Sequence, residues 1–325
     1  MIWLAWRQMR SATFVVGISL GLLMAGLLVS GAIIRSDFTR MGIGSCLADP
    51  TRAGCDPTVF AFQDRYLPLT TFLAWLNVFP ALAGALVGAP LVARELEQRT
   101  HLLVWTQGIT RTRWLFSRLG EIVCVSLLAA LILTAAFSWW HGPLDQFQSR
   151  FNAGVFDLEG MVPLSYTLFA VALGIAAGAF IRRSVPAIAA TLAGFLAVRL
   201  PILLWARPYG FQRPVVVTWD PFYAHTQRAS NADWILSDGQ WVDRHGQHVG
   251  IGTVFNTCAS GPTDGGYSFY PGDPFTQCTH AHGWLIQTIY QPADRFWVFQ
   301  GIESAIFIGL AIALLALTLW WVRRT

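Results

Sequence analysis

The chain has 325 residues, of which 54% are hydrophobic and only 12% are charged. A soluble domain carries about 25% charged residues, so this chain has too little polar surface to coat a water-soluble fold of its size. The formal net charge is +4 and every basic residue other than histidine is arginine, which fits a membrane protein with basic loops better than a nucleic-acid-binding protein.

Six apolar stretches are long enough to cross a bilayer, which takes about 20 residues. The second stretch is longer than one span needs, and Asn77, Pro80 and Pro90 are candidates for a break or kink within it. The predicted fold class is therefore an all-α integral membrane protein with six transmembrane helices. The predicted spans are Ala12–Ile34, Tyr66–Ala93, Trp114–Ser138, Met161–Ile181, Val185–Ala206 and Trp297–Val322.

Charge in the connectors predicts the orientation of these spans. Short connectors are strongly basic, whereas the longer ones hold most of the aspartates and are nearly neutral. Because positive charge is retained on the cytoplasmic side, we expect the short connectors and both termini to be cytoplasmic. The arginines of the short segments are Arg7, Arg10, Arg94, Arg99, Arg111, Arg113, Arg118, Arg182, Arg183, Arg323 and Arg324.

Four of the cysteines fall in the connectors that this orientation places outside. Cys46 and Cys55 lie in the first long connector, and Cys258 and Cys278 lie in the third. Disulfides persist outside the cytoplasm, and the simplest connectivity joins each local pair. Cys124 lies within the third predicted span and is expected to pack as a small apolar residue.

The segment 207–296 is too long for an unstructured loop and is rich in Gly, Asp, Trp, Tyr, His and Pro. We expect it to form an extracytoplasmic subdomain between the fifth and sixth spans. The predicted organisation has three parts. Residues 1–206 contain five spans and the loop 94–113, and residues 207–296 form the extracytoplasmic subdomain. Residues 297–325 contain the sixth span and a cytoplasmic tail.

Arg199 interrupts the fifth predicted span, and Glu303 lies just inside the sixth. Arg199 is seven residues from Ala206 and Glu303 is six from Trp297, which places both roughly 10 Å below the outer surface at 1.5 Å per residue. Matched depth and opposite charge predict an intramembrane ion pair, with a gate or a substrate contact as its functional interpretation. The alternative is that each side chain reaches the headgroups without pairing.

Histidines in the segment 207–296 suggest a second class of function. His-x-x-His and His-x-His patterns can supply metal ligands, and Cys278 lies nearby. The alternative hypothesis is therefore a membrane-anchored extracytoplasmic metal-binding protein or metal-dependent enzyme, although the spacing is loose and no H-E-x-x-H motif occurs. The weak metal candidates are His245, His248, His280 and His282.

The segment Val92–Glu121 has the pattern of a docking loop. A charged turn is followed by an apolar patch, a turn at Gln107–Gly108 and a basic run. Such a segment can insert apolar side chains into a groove of a soluble partner while its charges set the register. It can also lie on the membrane surface with its arginines on phospholipid headgroups.

This segment resembles the first cytoplasmic loop of type-2 ATP-binding-cassette (ABC) transporter permeases. Glu95, Glu97 and Thr100 match the family pattern E-x-E-x-x-T, and the run from Thr106 to Arg111 matches its turn and following arginine. The amino-terminal IWLAWRQMR resembles the interfacial helix of actinobacterial members. The chain departs from the family at Arg99, where many members have Gly, and at Gly108, where others have Pro.

The resemblance implies the permease subunit of an ABC exporter in a bacterial plasma membrane. Such a subunit moves a hydrophobic or amphipathic substrate (a lipid, a peptide or a drug) by alternating access. Expected partners are a cytoplasmic ABC ATPase subunit, a second permease subunit and membrane lipids, with no nucleic acid.

A secondary transporter would show an inverted repeat or several intramembrane acids, and neither is seen.

A Walker A motif requires lysine, which this sequence lacks, so we expect ATP and Mg²⁺ to be bound by the partner ATPase. The chain itself is expected to be neither an enzyme nor the holder of a cofactor. The candidate ATPase-coupling residues are Arg94, Glu95, Glu97, Arg99, Leu102, Leu103, Trp105 and Arg111.

Overall fold

The computed structural model describes residues 2–49, 54–90, 93, 97, 111–223, 230–258 and 272–324. Within these residues, six helical segments are long and apolar enough to cross a membrane, which confirms the predicted number of spans. Spans 1 to 6 are Leu20–Arg40, Cys55–Gly88, Ile122–Leu144, Val162–Ile181, Ser184–Gly210 and Ala293–Trp321.

The helices that carry these spans do not end where hydropathy alone places them. Span 2 starts at Cys55 instead of Tyr66, because its first turns are helical despite Asp56, Asp64 and Arg65. The long helices are Ile2–Arg40, Cys55–Leu73, Arg111–His141, Val162–Ile181, Ser184–Pro201 and Phe296–Arg324. Shorter helices are Ile43–Ala48, Phe79–Ala83, Ala153–Phe156, Ile251–Cys258 and Pro274–Ala281.

Span 2 is irregular close to Asn77 and Pro80, where the sequence predicts a break or a kink. Residues Ala74–Val78 form a tighter 3₁₀ turn, and Gly84–Gly88 form a wider π turn. Pro80 has no amide hydrogen to donate to the carbonyl oxygen of Leu76. That oxygen instead accepts the Phe79 N–H, so the chain stays helical through the proline with a changed pitch.

Span 4 is the helix most enclosed by protein. About two thirds of its apolar window (67%) is buried inside the chain, against 22% to 33% for the other five spans in the described residues. Glycines allow span 2 to pack directly on it: a Cβ at Gly84 would overlap the Ala170 carbonyl, and one at Gly178 would lie 2.5 Å from the Ala89 oxygen. The remaining spans keep large apolar surfaces that are not covered within the described residues.

The described residues divide into two compact units. The first lies within residues 1–147, 153–200 and 300–325 and contains most of the spans. The second lies within residues 148–152 and 201–299.

The second unit contains an antiparallel sheet, which corrects the expectation of an all-α chain. Its strands are β1 (Val215–Trp219), β2 (Trp234–Val242) and β3 (Leu285–Gln291), in the order β1-β3-β2. Trp241 and Ile286 pack against the two short helices Ile251–Cys258 and Pro274–Ala281. The β-branched and aromatic runs VVVTW and LIQTIYQ favour strands, but hydropathy alone does not separate them from irregular loop.

Candidate functional site

The chain segment that leaves span 2 packs onto the facing ends of spans 4 and 5. Ala93 is fully buried and forms an apolar cluster with Ala89 and Ala187. Small side chains at these positions let the backbones approach closely. The start of the predicted docking loop is therefore held against the first turn of span 5.

Glu97 extends this contact with a pair of hydrogen bonds. Its Oε2 accepts the Ser184 hydroxyl at 3.0 Å and the Ser184 backbone N–H at 3.3 Å. Ser184 is the first residue of the helix Ser184–Pro201, where unpaired amides and the helix dipole favour a negative charge. Glu97 therefore links the predicted docking loop to the beginning of span 5. We call the group of Ala89, Ala93, Glu97, Ser184 and Ala187 the loop junction.

Sequence reasoning identified Glu97 but missed Ser184, whose only signal is its position as a small polar residue directly before an apolar helix. Arg111 begins the helix Arg111–His141. The other predicted coupling residues lie outside the described residues: Arg94, Glu95, Arg99, Leu102, Leu103 and Trp105.

A buried polar network joins the two charges predicted to pair within the membrane. Arg199 Nη2 donates to Asp157 Oδ2 at 2.7 Å, and both side chains are almost completely buried. The Tyr166 hydroxyl contacts Asp157 Oδ1 at 3.2 Å and also contacts Glu303 Oε1. The Arg199 guanidinium lies 4.4 Å from the centroid of the Tyr166 ring. We call Asp157, Tyr166, Arg199 and Glu303 the buried network.

In this network, Arg199 forms its ion pair with Asp157. Tyr166 lies between Asp157 and Glu303. The predicted pair thus belongs to one network whose two connecting members sequence reasoning missed. Their signal was weak: Asp157 and Glu159 are an acidic pair directly before span 4, and Tyr166 is a lone hydroxyl in an apolar helix.

Gln300 fixes the start of span 4 against span 6. Its Oε1 accepts the backbone N–H groups of Met161 and Val162, each at 3.0 Å. Its Nε2 donates to the Phe156 carbonyl at 2.9 Å. Because amides at the start of a helix otherwise lack partners, one fully buried glutamine stabilises this helix end and positions Glu303 one turn further along span 6.

The cysteines are brought together in local pairs. One disulfide bond joins Cys46, which follows span 1, to Cys55, the first residue of span 2. The other joins Cys258 to Cys278, between two short helices of the second unit. Cys124, in span 3, keeps an exposed thiol.

The four histidines of the segment between spans 5 and 6 occupy different surroundings. His280 Nδ1 lies 2.5 Å from Asp220, and His282 Nδ1 lies 2.9 Å from the Cys278 carbonyl oxygen. In the part of the chain that is described, His282 alone of the four lies in a group of three possible metal ligands, and the other two members are the disulfide-bonded Cys258 and Cys278.

His245 and His248 lie in a turn organised by Asp243. The backbone N–H groups of Gln247 and His245 donate to Asp243 Oδ1, each at 2.8 Å, and hold the pKa of this carboxyl below its usual range. Val242 forms an isolated bridge with His248 beside this turn. The arrangement is that of a hydrogen-bonded surface turn.

Comparison with known proteins agrees with the six-span architecture. A family model described as "ABC-2 membrane transporter related" matches residues 17–207, more than half of the chain and nearly all of spans 1 to 5. No curated protein and no solved structure matches the chain. Together with its apolar spans, this match shows that the chain belongs to the ABC-2 membrane transporter related family, as a multi-pass membrane protein.

Proposed function

We propose that this membrane transporter permease exports a hydrophobic or amphipathic substrate by alternating access. A separate cytoplasmic ATPase, holding ATP and Mg²⁺, docks on the loop 94–113 through Glu95, Glu97, Arg99 and the apolar patch around Trp105. A lipid, a peptide or a drug fits the apolar and aromatic composition of the spans. The family match supports the permease role.

The loop junction is the observation that carries the coupling mechanism. Ala93 is buried against Ala187, and Glu97 binds the first residue of span 5. Displacement of the loop by an ATPase therefore acts directly on the start of a membrane helix. Two hydrogen bonds and a small apolar contact form a short mechanical path, which suits a switch between two discrete helix arrangements.

We assign the buried network to the gate on the outer side. Arg199 belongs to span 5, Tyr166 to span 4 and Glu303 to span 6, so one network joins three spans. While it is shielded from water, the ion pair holds these helices together. When the helices separate, water enters and solvates the two charges. Helix movement started at the loop junction reaches the gate along span 5, which contains both Ser184 and Arg199.

The proposed topology places both termini and the loop 94–113 in the cytoplasm of a bacterial cell. Residues 207–296 then form an extracytoplasmic subdomain, and both disulfides lie on the oxidising side. The five spans other than span 4 have large exposed apolar faces. These faces provide the surface for lipids and for a second permease subunit, identical or different.

The experiment is purification of the tagged chain from its native membrane in mild detergent, with mass spectrometry of the bound proteins. We expect a stoichiometric P-loop ATPase with the wild type, and its loss with Glu95→Arg/Glu97→Arg. The matched control is Asp56→Arg/Asp64→Arg, which makes the same charge change at exposed positions near the start of span 2. Absence of any ATPase in several detergents would contradict the proposal.

A further inference from the structure

Three side chains of metal-ligand type converge where span 3 ends. His141 is the last residue of the helix Arg111–His141, Asp145 follows the turn Gly142–Leu144, and Glu159 lies in the segment before span 4. His141 Nδ1 lies 2.6 Å from Asp145 Oδ1 and 3.4 Å from Glu159 Oε1. The three ligand atoms all lie within 4.8 Å of one another.

The imidazole of His141 is held in place by aromatic neighbours. It stacks on Phe137 at an interplanar angle of 12° with ring centroids 5.8 Å apart, and Trp140 lies 6.5 Å away on the same helix. The helix itself and its ending turn place Asp145 four residues further along the chain, next to Nδ1. The ligand orientation is therefore set by packing before any ion is bound, which is what a tight metal site requires.

Burial and charge distinguish this cluster from a surface ion pair. His141 is fully buried and Glu159 is 2% exposed, whereas the side chain of Asp145 is 36% exposed and gives an ion a path from water. An imidazole nitrogen and two carboxylate groups are ligand types that a divalent transition metal takes together.

We propose that His141, Asp145 and Glu159 form a binding site for a divalent transition-metal cation, with Zn²⁺ as the best match. Zinc takes imidazole nitrogen and carboxylate oxygen at about 2.0–2.2 Å, and three protein ligands leave a fourth position for water. Small side-chain shifts bring the three ligand atoms to bonding distance, since they already face one another.

The second group of possible ligands, Cys258, Cys278 and His282, is a weaker candidate. Zinc binds the thiolate form of cysteine, and these two sulfurs are joined in a disulfide. The His141 cluster needs no reduction and no rearrangement of covalent bonds.

An ion at this site ties the end of span 3 to the segment that starts span 4. Glu159 is two residues from Asp157, which holds Arg199 in the buried network. Bound metal therefore restrains the backbone that carries the Arg199 partner. This role is independent of which substrate is transported.

The test is zinc binding to the purified chain after dialysis against a chelator, measured by titration calorimetry and elemental analysis. We expect one equivalent of Zn²⁺, with at least about tenfold weaker binding in Asp145→Asn and in His141→Gln. His282→Gln is the matched control and keeps wild-type affinity. Absence of both Zn²⁺ and Mn²⁺ binding by the wild type, or unchanged affinity in both variants, overturns the proposal.

X-ray absorption at the zinc edge of the wild-type chain covers the case in which a variant fails to fold. The proposal predicts nitrogen and oxygen scatterers alone. Sulfur scattering would assign the ion to Cys258 and Cys278 instead and would overturn the His141 site. Neither result depends on the ATPase partner, so this test is separate from that of the proposed function.

Discussion

Arg199 and Asp157 form a buried ion pair, with Nη2 and Oδ2 2.7 Å apart. The pair joins span 5 to the segment that leads into span 4, and Tyr166 connects it to Glu303 on span 6. Two charges removed from water repay their desolvation only while they stay together. The pair is therefore a point at which three spans are held in one arrangement.

Removing one partner of this pair leaves an uncompensated buried charge. We expect Asp157→Asn to destabilise the purified chain by about 3–5 kcal/mol, seen as a lower thermal unfolding temperature in detergent. Asp157→Leu/Arg199→Met removes both charges and recovers much of the loss. Asp64→Asn, at an exposed position, serves as the control. If Asp157→Asn is as stable as the wild type, the Arg199–Asp157 pair does not stabilise the arrangement of the spans.

Loss of the Glu97–Ser184 contact uncouples the loop from span 5 at little cost in stability. The charge at a helix start contributes about 0.3–1 kcal/mol, so Glu97→Gln should fold normally. We expect ATP-driven transport to fall in Glu97→Gln and in Ser184→Ala, with the double variant no worse than either single variant. Additive losses in this double-mutant cycle would mean that the two residues act separately.

Direct packing of span 2 on span 4 leaves no room for a side chain at Gly174. A Cβ there would overlap the backbone of Gly84 and lie 2.8 Å from the Ala89 nitrogen. We expect Gly174→Ala to destabilise the chain by about 1–3 kcal/mol, measured by thermal unfolding. Gly301→Ala is the matched control, since nothing beyond its chain neighbours and the nearby backbone of its own helix lies within 4 Å of the added Cβ. Equal stability of the two variants would rule out the close approach.

The disulfides provide a test of orientation in intact cells. A membrane-impermeant reductant followed by an impermeant maleimide should label the cysteines of both pairs. Cys46→Ser/Cys55→Ser and Cys258→Ser/Cys278→Ser should each lower labelling by about half, because each removes one of two disulfides. Labelling that appears only after the membrane is permeabilised would reverse the proposed topology.

Hydropathy alone was enough to predict the six spans, because each is a local run of apolar residues. Span ends were less predictable: the helix runs through Asp56, Asp64 and Arg65, whose polarity lowers hydropathy without breaking the helix. The sheet was missed because strands such as Val215–Trp219 are too short to carry a clear alternation.

Long-range pairing was the least predictable part of the candidate site. Matched depth in the sequence predicts that Arg199 and Glu303 lie close together. Asp157 could not be predicted as the Arg199 partner, because it lies in a connector whose position depends on tertiary packing. The same holds for Glu159 and His141, which are 18 positions apart in the chain and meet only when spans 3 and 4 are in place. Glu97 was identified through the family pattern, whereas its contact with Ser184 follows from the fold.

The most direct test of the permease account is photo-crosslinking from the loop itself in native membranes. A photo-reactive amino acid in place of Trp105 should give a crosslinked product that contains a P-loop ATPase, identified by mass spectrometry. The same amino acid in place of Trp75, which is 76% exposed on span 2, should give no ATPase product. Capture of the ATPase from position 105 alone is the result that we predict. Crosslinks to lipid alone from position 105, as from position 75, would contradict the docking of an ATPase on this loop.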